Sequence, residues 1–213
     1  MIVCWSVKGG SGTTVVASTL ALIRAAESQR GALLVDLAGD VPAVLGLADP
    51  TGPGVCDWIS NSDASSRMSL QSLVIQATAN LQLLARGEDS FSTTPNFNDF
   101  CAALETFDVP VIIDAGCGVP PADLLAHATS SLLVTRPCYL SLRRAAQLTT
   151  TPTGIVLVNE PGRALGRRDV EAVIGAPVTA EITFDPAIAR AVDAGLLASR
   201  LPAILSKQLA TAA

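Results

Sequence analysis

The chain has 213 residues and a formal net charge of −5; 49% of its residues are hydrophobic and 15% are charged. Its length suits a single domain, and its scattered basic residues lack the electrostatic footprint of a duplex-DNA-binding protein. A basic-then-apolar leader and an uninterrupted apolar stretch of about 18 residues are both missing, which argues against a secreted or membrane-spanning protein. The sequence therefore predicts a cytoplasmic protein that does not bind DNA directly.

Short apolar runs alternate with longer helical patterns along the chain. The expected strands are Ile2–Val7, Ala32–Val35, Leu81–Leu84, Val109–Ile113, Ser131–Thr135, Gly154–Val158 and Pro177–Ile182. The expected helices are Thr14–Gln29, Asn96–Phe107, Leu140–Thr149, Asp169–Ile174 and Pro186–Ala194. This alternation predicts an α/β fold, a mostly parallel twisted sheet with helices on both faces. Residues 1–213 are expected to form one such domain, with an irregular excursion over Gly46–Ser72.

A glycine-rich loop follows the first expected strand and precedes the first expected helix, which is the context that a phosphate-binding loop requires. Its glycines let backbone N–H groups turn inward, and the helix N-terminus adds a partial positive charge. The residues expected to bind nucleotide phosphates are Gly9, Gly10, Ser11, Gly12, Thr13 and Thr14. The alternative is a glycine-rich turn that binds no ligand.

Lys8 stands at the start of this loop and is one of only two lysines in the chain, the other being Lys207. The chain otherwise uses arginine for positive charge. A lone lysine inside a glycine loop is more easily explained by a phosphate than by solubility.

The segment Lys8–Thr14, KGGSGTT, resembles the deviant Walker A motif of the MinD/ParA group of P-loop NTPases, whose pattern is KGGxGK[ST]. Lys8 matches the signature lysine, which in that family reaches the partner's phosphates across a nucleotide-sandwich dimer. The resemblance therefore implies an ATP-binding homodimer. Thr13 replaces the second lysine, a departure that is also found in CpaE/TadZ-like members, which are linked to pilus assembly and to polar or septal positioning.

Later segments resemble the same family in order and spacing. Val111–Asp114 is similar to the Walker B strand, so Asp114 is expected to hold Mg²⁺ together with Thr14. The alternative is an aspartate that caps the next turn. Val156–Asn159 resembles the strand whose final asparagine contacts adenine, which implies that role for Asn159.

Asp36 ends the second expected strand and is expected to face the same cavity as the Walker B aspartate, where it would order the waters of the metal. In the family a second aspartate, two positions on, orients the attacking water, and here that position is Ala38. Asp40 is the candidate replacement if the loop is shortened. Because Thr13 and Ala38 lack the groups that stabilise transferring charge and position water, slow or absent ATP hydrolysis is expected.

The leading hypothesis is an ATP- and Mg²⁺-binding, dimerising positioning protein that acts through pilus, secretion or cell-division proteins and is recruited to a pole or septum by a partner. The C-terminal segment Leu201–Leu209 carries too little positive charge for a membrane-surface helix. A nucleotide-insensitive scaffold of the same fold is the first alternative. A small-molecule P-loop enzyme is the second.

Overall fold

The computed structural model describes residues 1–61, 69–88 and 97–212. Its strands are β1 Ile2–Ser6, β2 Ala32–Asp36, β3 Val74–Gln76, β4 Leu81–Leu84, β5 Val111–Cys117, β6 Ser130–Thr135, β7 Gly154–Asn159 and β8 Val178–Thr183. Its helices are α1 Thr13–Glu27, α2 Val41–Leu45, α3 Val55–Ser60, α4 Phe97–Glu105, α5 Ala122–His127, α6 Tyr139–Ala145, α7 Arg167–Ile174, α8 Pro186–Asp193 and α9 Ala203–Leu209. A 3-10 turn covers Leu70–Leu73.

The strands form one eight-stranded sheet in the order β3-β4-β2-β5-β1-β6-β7-β8. Every neighbouring pair is parallel except β3 with β4. This confirms the predicted α/β fold and all seven expected strands. The additional strand β3 has only three residues at the edge of the sheet, too short for a period-two pattern to reveal it.

Two apolar layers cover the two faces of the sheet. One contains α1, α2, α8 and α9, through residues such as Leu20, Ile188 and Leu205. The other contains α3 to α7, with Trp58 and Phe100 in ring contact at 6.1 Å. Central strands feed alternate side chains into each layer, which explains why they are apolar throughout.

The helices differ from expectation mainly where they are short. The irregular excursion predicted over Gly46–Ser72 is wrong in part, because the structure places α3 and the 3-10 turn there, while residues 62–68 lie outside the described part of the chain. The expected start of the fourth helix at Asn96 also falls outside it. Among the described residues, no helix is both long and apolar enough to cross a membrane.

Gly46 ends α2 with a left-handed backbone, φ 76°, and a Cβ built on it would overlap the backbone oxygen of Gly195. We therefore expect Gly46→Ala to lower the free energy of unfolding by about 2–3 kcal/mol, the sum of left-handed strain and a forced shift of packed backbone. Chemical denaturation measures this change.

Gly175 provides the matched control, because it ends α7 at φ 74° and no atom lies within 4 Å of the position that a Cβ would take. Gly175→Ala should lower stability by about 1 kcal/mol, the strain alone. Equal losses for the two variants would contradict the close packing of Gly46 on Gly195.

Candidate functional site

The loop between β1 and α1 adopts the form that its glycines predict. Gly10 and Gly12 have φ values of 74° and 95°, in the left-handed region that favours glycine. The Ser11 hydroxyl donates a 2.6 Å hydrogen bond to the carbonyl of Lys8, closing the loop on itself. The loop therefore presents its outer surface and the N-terminus of α1, a 15-residue helix, to a ligand.

A cavity of about 480 Å³ lies against this loop, and we call it the P-loop cavity. The carboxyl ends of β1, β2, β4 and β5 surround it, as expected for ligand sites in parallel sheets. Besides the loop residues Gly9–Thr14 and Val15, its lining comes from Ser6, Leu37, Ala38, Asp40, Arg86 and Ala115–Cys117.

Asp114 on β5 is fully buried beside this cavity. Its Oδ1 accepts a 3.0 Å hydrogen bond from the N–H of Gly116, whereas no residue in the described part of the chain provides a hydrogen-bond partner for its Oδ2. Burial raises the pKa of Asp114 to about 6, although the nearby Thr14 hydroxyl and the Gly116 N–H act in the opposite direction. A buried oxygen without a partner next to a hydroxyl fits the hard-oxygen ligands that Mg²⁺ prefers.

The strand β5 continues past Asp114 to Cys117, whereas the sequence predicted a strand that ends at Ile113. Its pairing with β1 shifts register between Cys4 and Ser6, and Gly116 has φ 67°. The residues of this irregular strand end, Ala115 to Cys117, line the P-loop cavity.

Asp36 lies beside Asp114 in the sheet register, but its carboxylate serves its own loop. It accepts hydrogen bonds from the N–H groups of Ala38 at 3.0 Å, Gly39 at 2.6 Å and Val41 at 3.1 Å. Burial raises the pKa of Asp36, and these three donors offset the rise only in part. Asp36 is not among the residues lining the P-loop cavity, so the structure gives it a loop-shaping position.

Sequence reasoning missed this use of Asp36. The signal that would have revealed it is Asp36 with a glycine three residues on, in Asp36-Leu37-Ala38-Gly39. In such turns an aspartate accepts hydrogen bonds from backbone N–H groups two or three residues further along the chain. The same loop places Asp40, which is exposed, in the lining of the cavity.

Lys8 does not line the P-loop cavity. Its Nζ reaches back to the carbonyl of Gly9 at 3.4 Å. The positive charge of Lys8 also acts on Cys138. Burial raises the pKa of the Cys138 thiol, but the Ser141 hydroxyl, 3.1 Å from its Sγ, and the charge of Lys8 lower that pKa below its ordinary value. Lys8 is thus adjacent to the P-loop cavity in sequence but is not among the residues that line it.

Exposed apolar side chains follow the ends of β5 and β6, the strands that flank β1, and Lys8 follows the end of β1. Val119 follows β5 and is 53% exposed, while Tyr139 and Leu140 open α6 after β6 and are 73% and 44% exposed. We call Lys8, Val119, Tyr139 and Leu140 the Lys8 face. Clustered apolar exposure of this kind is typical of protein–protein contact surfaces.

A second cavity, of about 420 Å³, lies on the opposite side of the same loop, and we call it the apolar cavity. It is lined by Gly10–Gly12 of the loop and by apolar residues of β7, β8 and α8, including Val158, Ile182 and Ile188, with Arg136 at its edge. The expected adenine ligand Asn159 adjoins it but does not line it. Instead its Nδ2 donates to Oε1 of Glu181 at 2.7 Å.

Two arginines in these linings were not predicted from the sequence. Arg136 forms a 2.6 Å ion pair with Glu160. Arg86 follows β4 and donates from Nη1 to the carbonyls of Leu37 at 2.8 Å and Ala38 at 3.2 Å. Arg86 lies in no motif, and only the packing of β4 beside β2 brings it to the P-loop cavity.

The sequence matches no protein-family model and no curated protein. The structure, in contrast, is similar to solved structures over nearly its whole length. A ParA family ATPase from Chlorobium tepidum has a TM-score of 0.77 at 23% identity, covering 98% of this chain and 94% of that one. The septum site-determining protein MinD from Pyrococcus horikoshii, complexed with Mg-ADP, has a TM-score of 0.72 at 18% identity, with 98% and 93% covered.

MinD in the MinC:MinD cell division complex of Aquifex aeolicus gives a TM-score of 0.71 at 17% identity, covering 97% of this chain and 93% of that one. Identities this low establish the fold and leave the activity to be tested. The strand order, the glycine loop and these similarities agree with the expected architecture. The chain has the P-loop fold shared by ParA-family ATPases and MinD proteins.

Proposed function

We propose that this chain is a nucleotide-dependent switch that binds ATP with Mg²⁺, dimerises, hydrolyses ATP slowly or not at all, and acts by contacting other proteins. The observation that carries the proposal is the buried Oδ2 of Asp114, for which no described residue provides a hydrogen-bond partner. It lies beside Thr14, which lines the P-loop cavity, although Asp114 itself does not line it. Keeping a carboxylate in this position destabilises the fold unless a cation uses it.

Mg²⁺ would be held by Asp114 and Thr14, and the remaining ligands would be phosphate oxygens and water, as is usual for this ion. When bound, it would neutralise phosphate charge. The loop amides would hold the phosphates, while the apolar cavity would take the nucleobase with Asn159 at its edge. The structural neighbours support this assignment, since one of them is complexed with Mg-ADP and another, McdA of Cyanothece, with ATP.

The Lys8 face is the proposed contact surface of the homodimer. A lysine that does not line its own cavity, and that follows β1 between strand ends with exposed apolar side chains, is a candidate to reach a second copy of the chain. The partner proteins would be pilus, secretion or division components of the kind contacted by CpaE/TadZ-like proteins. Support for a protein partner comes from the MinC:MinD neighbour.

Light scattering during titration with ATP and Mg²⁺ tests the switch. The parent chain should double in mass, and Lys8→Ala should remain monomeric. Lys207→Ala is the matched control, because it removes the only other lysine, an exposed residue on α9, and should dimerise like the parent. Equal behaviour of the two variants would contradict the role of Lys8.

A nucleotide-insensitive scaffold is the second candidate, favoured by Thr13, which is buried at 7% exposure and offers no charge to a phosphate. The two candidates differ in thermal stability. Binding to the folded state alone raises the melting temperature with ligand concentration. No shift at millimolar ATP and Mg²⁺ would favour the scaffold.

A further inference from the structure

The positions of the two cavities indicate how a bound nucleotide would be oriented. Both share Gly10–Gly12, and they lie on opposite sides of the loop. A nucleobase in the apolar cavity directs the phosphate chain across the loop into the P-loop cavity. The terminal phosphate of a triphosphate therefore lies toward the ends of β2, β4 and β5, near Ala38, Asp40 and Arg86. This step rests on the proposed function.

The P-loop cavity is short of positive charge. Thr13 replaces a lysine and is uncharged, and Lys8 does not line the cavity. Within the described part of the chain, the charged residues lining it are Asp40 and Arg86. Arg86 thus supplies the cationic side chain that a terminal phosphate would meet.

Arg86 is held in place but has donors to spare. Its Nη1 donates to the carbonyls of Leu37 and Ala38, which fixes the guanidinium against the loop that follows β2. A guanidinium has five N–H donors, and among the described residues none accepts a hydrogen bond from Nε or Nη2. No carboxylate forms an ion pair with Arg86 in residues 1–61, 69–88 and 97–212.

We propose that Arg86 binds the terminal phosphate of a nucleoside triphosphate and couples it to the loop of Leu37–Asp40. Nη1 of the guanidinium donates to the loop carbonyls, and the remaining N–H groups donate to the phosphate. The planar guanidinium, with donors along two edges, suits such an arrangement. The loop then senses whether the third phosphate is present. Arg86 compensates in this way for the lysine absent at Thr13.

Isothermal titration with ATP and with ADP, each with Mg²⁺, tests this role in Arg86→Gln, Arg86→Lys and the parent. Arg86→Gln should weaken ATP binding about 10-fold, the value of one charge-assisted contact, and ADP binding less than about twofold. Arg86→Lys keeps the charge and should bind ATP more tightly than Arg86→Gln. Arg168→Gln, an exposed arginine on α7 that lines neither cavity, is the matched control.

A residue that only braced the loop would weaken both nucleotides equally, and that result would overturn the proposal. The parent alone gives a second readout, since it should bind ATP more tightly than ADP even if the variants do not fold. Equal affinities in the parent overturn the role of Arg86 and leave the proposed function standing. A parent that binds neither nucleotide overturns both.

Discussion

Asp36→Ala is expected to lower the free energy of unfolding by about 4 kcal/mol. The substitution leaves the N–H groups of Ala38, Gly39 and Val41 without an acceptor, and each unsatisfied donor away from water costs about 1–3 kcal/mol. The relief of removing a fully buried carboxylate offsets only part of this loss. Urea denaturation of the apo protein measures the change.

Asp36→Asn separates the acceptors from the charge. Burial raises the pKa of Asp36, so the ionised form is disfavoured there. Oδ1 and Oδ2 can accept hydrogen bonds in either protonation state. Asparagine keeps an oxygen for Ala38 and Gly39 and loses the acceptor for Val41, so a loss of about 1–2 kcal/mol is expected. Asp40→Ala, an exposed neighbour whose side chain makes no cap bond, is the control and should change stability by less than about 0.5 kcal/mol. Equal losses at the two aspartates would contradict this account.

The fold was predictable because each central strand has its own apolar run of suitable length. The boundaries of β2 and β7 agree with the sequence prediction to within one residue. The pattern failed for α2 and α3, which have five and six residues, because so few turns do not establish a helical period. Their apolar residues are buried in the two layers that cover the sheet, a tertiary environment that local periodicity does not reveal.

The candidate site was predictable where the chain itself supplies the geometry, and unpredictable where side chains come from distant strands. Gly9–Thr14 form a continuous loop, so the motif alone placed them. Arg86 is 49 residues away from Leu37 in sequence, and it reaches the P-loop cavity because β4 lies beside β2. The contact of Asn159 with Glu181 likewise depends on a neighbouring strand that no motif names.

Asp114→Asn is expected to stabilise the metal-free protein at pH 8. The folded pKa of about 6 lies above the unfolded value of 3.8, so the folded state binds the proton more tightly. Ionised Asp114 therefore destabilises the fold fully above about pH 6, and this effect disappears as the pH falls below 3.8. The shift corresponds to about 3 kcal/mol, and the unpaired amide of asparagine cancels part of it, leaving a gain of about 1–2 kcal/mol.

Urea denaturation at pH 8 and pH 4 in metal-free buffer measures the change. The cost of the unpaired amide does not depend on pH, whereas most of the ionisation penalty has disappeared at pH 4, so the gain at pH 8 should become a loss of about 1 kcal/mol at pH 4. Asp49→Asn, on an exposed residue, should show no gain at either pH. A variant that is less stable than the parent at pH 8 would contradict the unsatisfied Oδ2 of Asp114.

The same substitution should remove the effect of magnesium on nucleotide binding. In the parent, Mg²⁺ should tighten ATP binding by about 10- to 100-fold over chelator-treated buffer, and in Asp114→Asn the two conditions should give equal affinities. Titration with ATP in both buffers measures the difference. If the carboxylate stabilised the fold, neutralising it would make the metal-free protein less stable. If it serves a cation, neutralising it makes the metal-free protein more stable and removes the effect of Mg²⁺ on ATP binding.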